Sequence, residues 1–163
     1  MIMINTKEDE KMKKLVAYFS AEGTTAALAK ALAEKLGADL FEIVPEVPYT
    51  AADIKWTNPL ARCNREKAGK KDVPVAGKVE GFGEYDTVYL GFPIWYYAAP
   101  NVINTFCSAY SWEGKKLVLF ATSGGSGIGK TAEKLMPYVK GAEIIGAEVF
   151  KSSDELISWA EKL

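Results

Sequence analysis

An α/β fold, a parallel sheet covered on both faces by helices, is the class this sequence predicts, and three observations predict it. Strand-length apolar runs alternate with helix-length amphipathic stretches about five times along the chain. The runs are apolar throughout instead of alternating with polar residues, the signature of strands buried on both faces. The length, 163 residues with 48% hydrophobic, suits one domain around one well-developed core.

The elements follow in order. Residues 1–11 are polar and charged with no apolar run, and read as a flexible leader that is neither signal peptide nor membrane anchor; the domain is expected over 12–163. Leu15-Val-Ala-Tyr-Phe19 is the first strand, Ser20-Ala-Glu-Gly-Thr-Thr25 a hydroxyl-rich turn, and Ala26 to Leu36 a helix with Leu28, Leu32 and Leu36 on one face. Gly37 stops that helix, and Asp39 to Val44 forms a second strand ended by Pro45 and Pro48. Residues 49–81 are the least patterned, with a helix opened by Asn58-Pro59 and a solvated face of Lys67, Lys70 and Lys71. Thr87 to Phe92 is a third strand, broken at Pro93, and Pro100 sits in the first turn of a helix through Val102, Ile103 and Phe106. Lys116 to Thr122 is a fourth strand, followed by a Gly/Ser loop and a helix from Thr131 toward Tyr138. Glu143-Ile-Ile offers a fifth strand, and Asp154 to Leu163 closes the chain as an amphipathic helix.

Composition narrows the chemistry. Twenty Lys and Arg nearly balance 21 Asp and Glu, so no global field recruits nucleic acid or an acidic membrane surface. Cys63 and Cys107 lack CxxC spacing and fit reduced thiols in the core. Histidine is absent, which excludes a Ser-His-Asp triad, a histidine base and nearly every common zinc site. Chemistry must then come from carboxylates, lysines, tyrosines or a bound cofactor; no side chain is assigned a catalytic role and no metal is expected.

In a parallel sheet of this kind ligands lie beyond the carboxyl ends of the strands. Three loops are expected there. The turn Ser20, Ala21, Glu22, Gly23, Thr24 and Thr25 aims helix N-terminal amides and three hydroxyls at one point suited to a phosphate, with no lysine or arginine in the turn. The absence of a cation suits a permanently held phosphate better than one in transfer. The loop through Pro93, Ile94, Trp95, Tyr96, Tyr97 and Ala98 exposes aromatics suited to stacking on a flat ring. The loop from Ser123, Gly124 and Gly125 to Gly129 brings bare backbone toward something flat and polar.

These three segments, each after its own strand, resemble those of the flavodoxin family from about Met12 to the C-terminus. The resemblance implies a flavodoxin-like three-layer sandwich with strand order 2-1-3-4-5, non-covalent FMN, electron transfer with redox partner proteins, and a cytoplasmic location without nucleic acid or membrane. Ser20 to Thr25 would hold the phosphate, Pro93 to Ala98 would flank the isoalloxazine with Trp95 stacked on one face, and Ser123 to Gly125 would meet its pyrimidine edge. Two departures stand out. The third loop lacks the aromatic with which many flavodoxins sandwich the flavin, which leaves the second face open. The position after the stacking aromatic, often a glycine whose peptide turns over toward the reduced ring, is Tyr96, where a Cβ makes positive φ costly.

Three other functions compete, one of them a binding or regulatory module that keeps the fold without redox turnover. An NAD(P)H-dependent flavin or quinone oxidoreductase would use the same fold. Separately, Gly124-Gly-Ser-Gly-Ile-Gly129-Lys130-Thr131 matches the nucleotide-phosphate motif G-x-x-x-x-G-K-[ST]. Against an NTPase, no later strand ends in an aspartate for magnesium, and Pro137 interrupts the supporting helix.

Overall fold

The computed structural model describes residues 13–69 and 72–163. The leader expected over 1–11, together with Lys70 and Lys71, lies outside them. The elements are β1 (Lys14–Tyr18), α1 (Thr24–Leu36), β2 (Asp39–Glu42), β3 (Val44–Pro45), α2 (Arg62–Gly69), β4 (Val75–Ala76), β5 (Thr87–Pro93), α3 (Asn101–Ser108), β6 (Lys116–Thr122), α4 (Thr131–Leu135), β7 (Glu143–Val149) and α5 (Ser153–Ala160).

Five strands pair in parallel in the order β2-β1-β5-β6-β7, the predicted 2-1-3-4-5 of the main strands. Alternate residues serve opposite faces, which is why the strands read as unbroken apolar runs. Leu15, Ala17, Val88, Leu90, Leu117 and Leu119 pack with Val102, Ile103 and Phe106 of α3. Val16, Tyr18, Tyr89, Val118 and Phe120 pack with Leu28 and Leu32 of α1 and Leu156 of α5. Each fully buried Leu, Val or Ile contributes about 1.5–3 kcal/mol of transfer free energy, so two such faces make the sheet the rigid element on which the loops are mounted. Within it Gly91 is required by packing, because a Cβ there would lie 2.3 Å from the Phe120 ring.

Several boundaries differ from the sequence reading, each for a local reason. The second strand ends at Glu42, and Val44–Pro45 leaves the sheet to pair antiparallel with Val75–Ala76. Asn58 opens a turn instead of a helix, its Oδ1 accepting from the Leu60 amide at 3.0 Å, and α2 begins only at Arg62. Pro100 caps α3 from outside its first turn. After Leu135 the chain tightens into a 3₁₀ turn over Met136–Tyr138, as Pro137 requires. β7 runs on to Val149, and α5 starts at Ser153 behind Ser152, whose hydroxyl accepts from the Glu155 amide at 3.2 Å.

Candidate functional site at the carboxyl edge of the sheet

The parallel registry of β1, β5 and β6 brings their carboxyl ends level, with Tyr18 beside Gly91 and Gly91 beside Phe120. The three following loops therefore leave the sheet side by side. They wall one cleft of about 810 Å³. Glu22 and Thr24 line it from the first loop, Pro93 to Tyr97 from the second, and Ser123 to Gly125, with Ser126, from the third.

Gly23 is the N-cap of α1 at φ 93°, a left-handed conformation that a side chain would strain, and the first intrahelical hydrogen bond runs from the Ala27 amide to its carbonyl at 3.1 Å. The amides of Thr24, Thr25 and Ala26 precede that bond, so the turn presents the donors of a helix N-terminus. The three hydroxyls are not equivalent. Ser20 Oγ accepts from the Gly23 amide of its own turn at 3.0 Å. Thr25 is buried, and its hydroxyl pairs with that of Thr122 at 2.8 Å. This corrects the expectation that Thr25 offers its side chain to a ligand: it bolts the turn to the end of β6 instead. Thr24 alone of the three is both exposed and on the cleft wall. Ala21 packs against the core.

The second loop is a two-residue hairpin turn. The Trp95 amide donates to the Ala98 carbonyl at 2.9 Å and the Ala98 amide to the Trp95 carbonyl at 3.1 Å. Tyr96 and Tyr97 between them have φ of 55° and 63°, the pattern of a type I′ turn, which normally takes Asn-Gly. A side chain in this conformation costs about 1–2 kcal/mol. The cost expected at Tyr96 is met twice in this turn, at Tyr96 and Tyr97, and side-chain bonds offset it. The Tyr96 hydroxyl donates to Asn64 Oδ1 and lies 3.4 Å from Cys63 Sγ, and Lys134 Nζ donates to the Tyr97 carbonyl at 3.1 Å. Burial first, then the Cys63 thiol, pushes the Tyr96 phenol well above the usual tyrosine value, so it remains a donor. Ala98 is buried, closing the turn away from the cleft.

Trp95 is half-buried, not fully displayed. Its ring stands edge-on to Phe19, with centroids 5.6 Å apart, and to Tyr49 at 5.3 Å. Tyr49 in turn donates to Glu66 and lies under the Arg62 guanidinium, which is 4.0 Å from its ring centroid. Arg62 Nε donates to Glu66 at 2.7 Å. Burial, with Glu66 next, raises the Tyr49 pKa well above the ordinary value. This chain of contacts locks Trp95 from behind and leaves its remaining surface on the cleft.

The third loop closes on Ser123, whose hydroxyl accepts from the amides of Gly125 at 3.1 Å and Ser126 at 2.8 Å and pairs with Ser126 Oγ at 2.8 Å. A Cβ added to Gly124 or Gly125 would meet no protein atom within 4 Å, so both backbones face open space. The nucleotide-phosphate motif lacks its working parts here. Thr131 is fully buried and spends its hydroxyl on the Ile128 carbonyl at 2.5 Å, and the helix behind the loop has 5 residues.

A fourth wall was not legible in the sequence. Ile54, Trp56 and Cys63, from the unpatterned stretch before α2 and its first turn, line the same cleft. Trp56 is 73% exposed. An exposed tryptophan in a turn-rich stretch is the one signal that could have marked this wall. Lys67, assigned to a solvated face, is instead half-buried.

A family model described as Flavodoxin matches residues 13–163. Among solved structures, a candidate flavoprotein from Bacteroides eggerthii is 40% identical, over 92% of this chain and 96% of that one, with a TM-score of 0.82. Another from Bacteroides uniformis is 37% identical, over 93% and 99%, with a TM-score of 0.83. A flavoprotein in complex with FMN from Lactobacillus acidophilus shares the fold at 22% identity, over 91% and 99%, with a TM-score of 0.69. No curated protein matches the chain. No helix among the described residues is long and apolar enough to cross a membrane.

Proposed function

The chain belongs to the flavodoxin family, whose cofactor is FMN, and from that premise we propose that it holds FMN in the 810 Å³ cleft and carries electrons between redox partner proteins. The observation that carries this reading is the convergence of three loops of complementary chemistry on one cleft. FMN supplies the electron chemistry when bound; the chain supplies binding, orientation and electrostatics.

The residues fit that group. The amides at the start of α1 and the Thr24 hydroxyl suit a phosphate, and the helix dipole favours its charge without a lysine or arginine in the turn. Trp95 would lie along one face of the ring system, and the bare backbone at Gly124 and Gly125 would meet its polar edge. Ser20, Gly23 and Thr25 act through the shape of the turn, and Pro93, Ile94 and Ala98 through that of the second loop. The Tyr96 and Tyr97 turn, tied to α2 and α4, presents one fixed backbone to the flavin. We place the protein in the cytoplasm, as one domain over 12–163.

A second reading, direct reduction by NAD(P)H with delivery to a quinone, is favoured by the size of the cleft. FMN fills roughly 500 Å³ at interior packing density, which leaves part of the 810 Å³ cleft for a second ring beside the glycine wall. Titration of apoprotein with FMN and with riboflavin tests the cleft, and equal affinity for the two would overturn the phosphate assignment. Mixing holoprotein with NAD(P)H and a quinone, without added reductase, tests the second reading: rapid oxidation of the nucleotide favours the enzyme, none the carrier.

A further inference from the structure

A second cleft, of about 450 Å³, lies beyond the same turn: its wall begins at Ala98 and Ala99, where the wall of the first cleft ends. Lys67 reaches it from α2 and Lys134 from α4, and Asn101 and Asn104 of α3, Thr131, Tyr138 and Asp72 are its other polar lining. We propose that this cleft binds the phosphate group of a small anionic ligand.

Charge carries the argument. Lys67 is half-buried, and no ion pair among the described residues includes it or Lys134. Burial and the neighbouring Lys134 charge both weaken the hold of Lys67 on its proton. A half-buried ammonium that shares a cleft with a second, exposed ammonium is stabilised when a counter-charge enters. Asp72 does not supply it, being exposed and outside ion-pair distance of either lysine. A phosphate monoester, with about −1.5 to −2 charge at pH 7 and three acceptor oxygens, balances two ammonium groups and accepts from Asn104 and Tyr138 as well. The volume exceeds that of one phosphate, so the group would arrive on a larger molecule such as a nucleotide; free phosphate presents the same chemistry. Lys134 also holds the Tyr97 carbonyl at 3.1 Å, so a ligand that draws this lysine inward is felt at the turn walling the first cleft.

The test is a titration of ¹⁵N-labelled protein saturated with FMN, so that the phosphate position at the start of α1 is already filled, at constant ionic strength with inorganic phosphate, adenosine 2′-monophosphate, and sodium chloride as control. Phosphate should produce saturable shifts at Ala98, Ala99 and Lys134, with Tyr97 following. Lys67→Met and Lys134→Met should each weaken binding about tenfold or more, the loss of one charge-assisted hydrogen bond. Lys67→Arg should retain it, Asp72→Asn should tighten it, and Lys140→Met, an exposed lysine outside the lining, should change nothing. Tighter binding of the adenosine phosphate makes a nucleotide the source, and equal binding makes it free phosphate. Shifts that chloride reproduces, or that survive both Lys67→Met and Lys134→Met, overturn the proposal, and folding of each variant is read from the same spectra.

Discussion

Tyr97 offers a direct measurement of the strain held in the turn at the cleft. At φ 63° its backbone occupies a region that costs a residue with a side chain about 1–2 kcal/mol. The side chain is 73% exposed and its carbonyl bond to Lys134 is made by backbone, so truncation removes little packing. Glycine relieves the strain but loses about 0.5–1 kcal/mol more backbone entropy on folding than alanine. At the midpoints of the two terms the difference leaves Tyr97→Gly more stable than Tyr97→Ala by about 0.75 kcal/mol, a reversal of the usual order. For a domain of this size that is roughly 1–4 °C in Tm. Thermal melts of apoprotein by circular dichroism, in phosphate-free buffer, compare wild type with Tyr97→Ala, Tyr97→Gly and Tyr97→Asn. Alanine should sit near wild type, glycine above it, and asparagine between them, since asparagine tolerates positive φ. A glycine variant melting at or below the alanine variant would refute the strain argument.

Other consequences follow from the same contacts. Thr25→Val leaves the Thr122 hydroxyl buried without its partner and should lose about 1–3 kcal/mol in urea unfolding, whereas Thr24→Val should leave stability alone and weaken FMN but not riboflavin. Trp95→Ala should restore part of the flavin fluorescence quenched in the holoprotein and weaken FMN several-fold or more, stacking being worth on the order of 1 kcal/mol beyond area burial. Trp56→Ala should make the flavin more accessible to a soluble collisional quencher, because Trp56 lines the cleft and covers part of its opening; unchanged accessibility would remove it from the site. The Tyr85 hydroxyl, bonded to Asp39 at 2.6 Å, has its pKa pushed up to about 12 by burial and then by that carboxylate. The folded state thus keeps this proton where the unfolded chain has lost it. Stability tied to Tyr85 is complete below pH 10 and lost as the pH rises toward 12. Urea midpoints over that range should fall less steeply in Tyr85→Phe than in wild type.

The layered architecture and the position of the cleft at the carboxyl edge were written in local pattern. Short unbroken apolar runs bounded by turn residues fit strands covered on both sides, and most helix starts and Gly/Ser turns are short-range preferences that a few neighbouring residues decide. From this the sheet, its carboxyl edge and the three loops at that edge followed, and the lack of histidine already excluded most catalytic machinery. Tertiary structure decided what those loops present. Thr25 is withdrawn from the cleft by Thr122, 97 residues away. Tyr96 and Tyr97 sit in a turn their own preferences oppose, because Asn64, Cys63 and Lys134 reach them from two other helices. Trp56, Ile54 and Cys63 form a wall although their segment has no periodicity, since α2 is held by Arg62 and Glu66 on Tyr49, which itself packs against Trp95. Pattern along a chain records which face of an element is buried. It does not record which distant side chain completes a hydrogen bond or holds a strained turn, because those partners become neighbours only when the sheet has assembled.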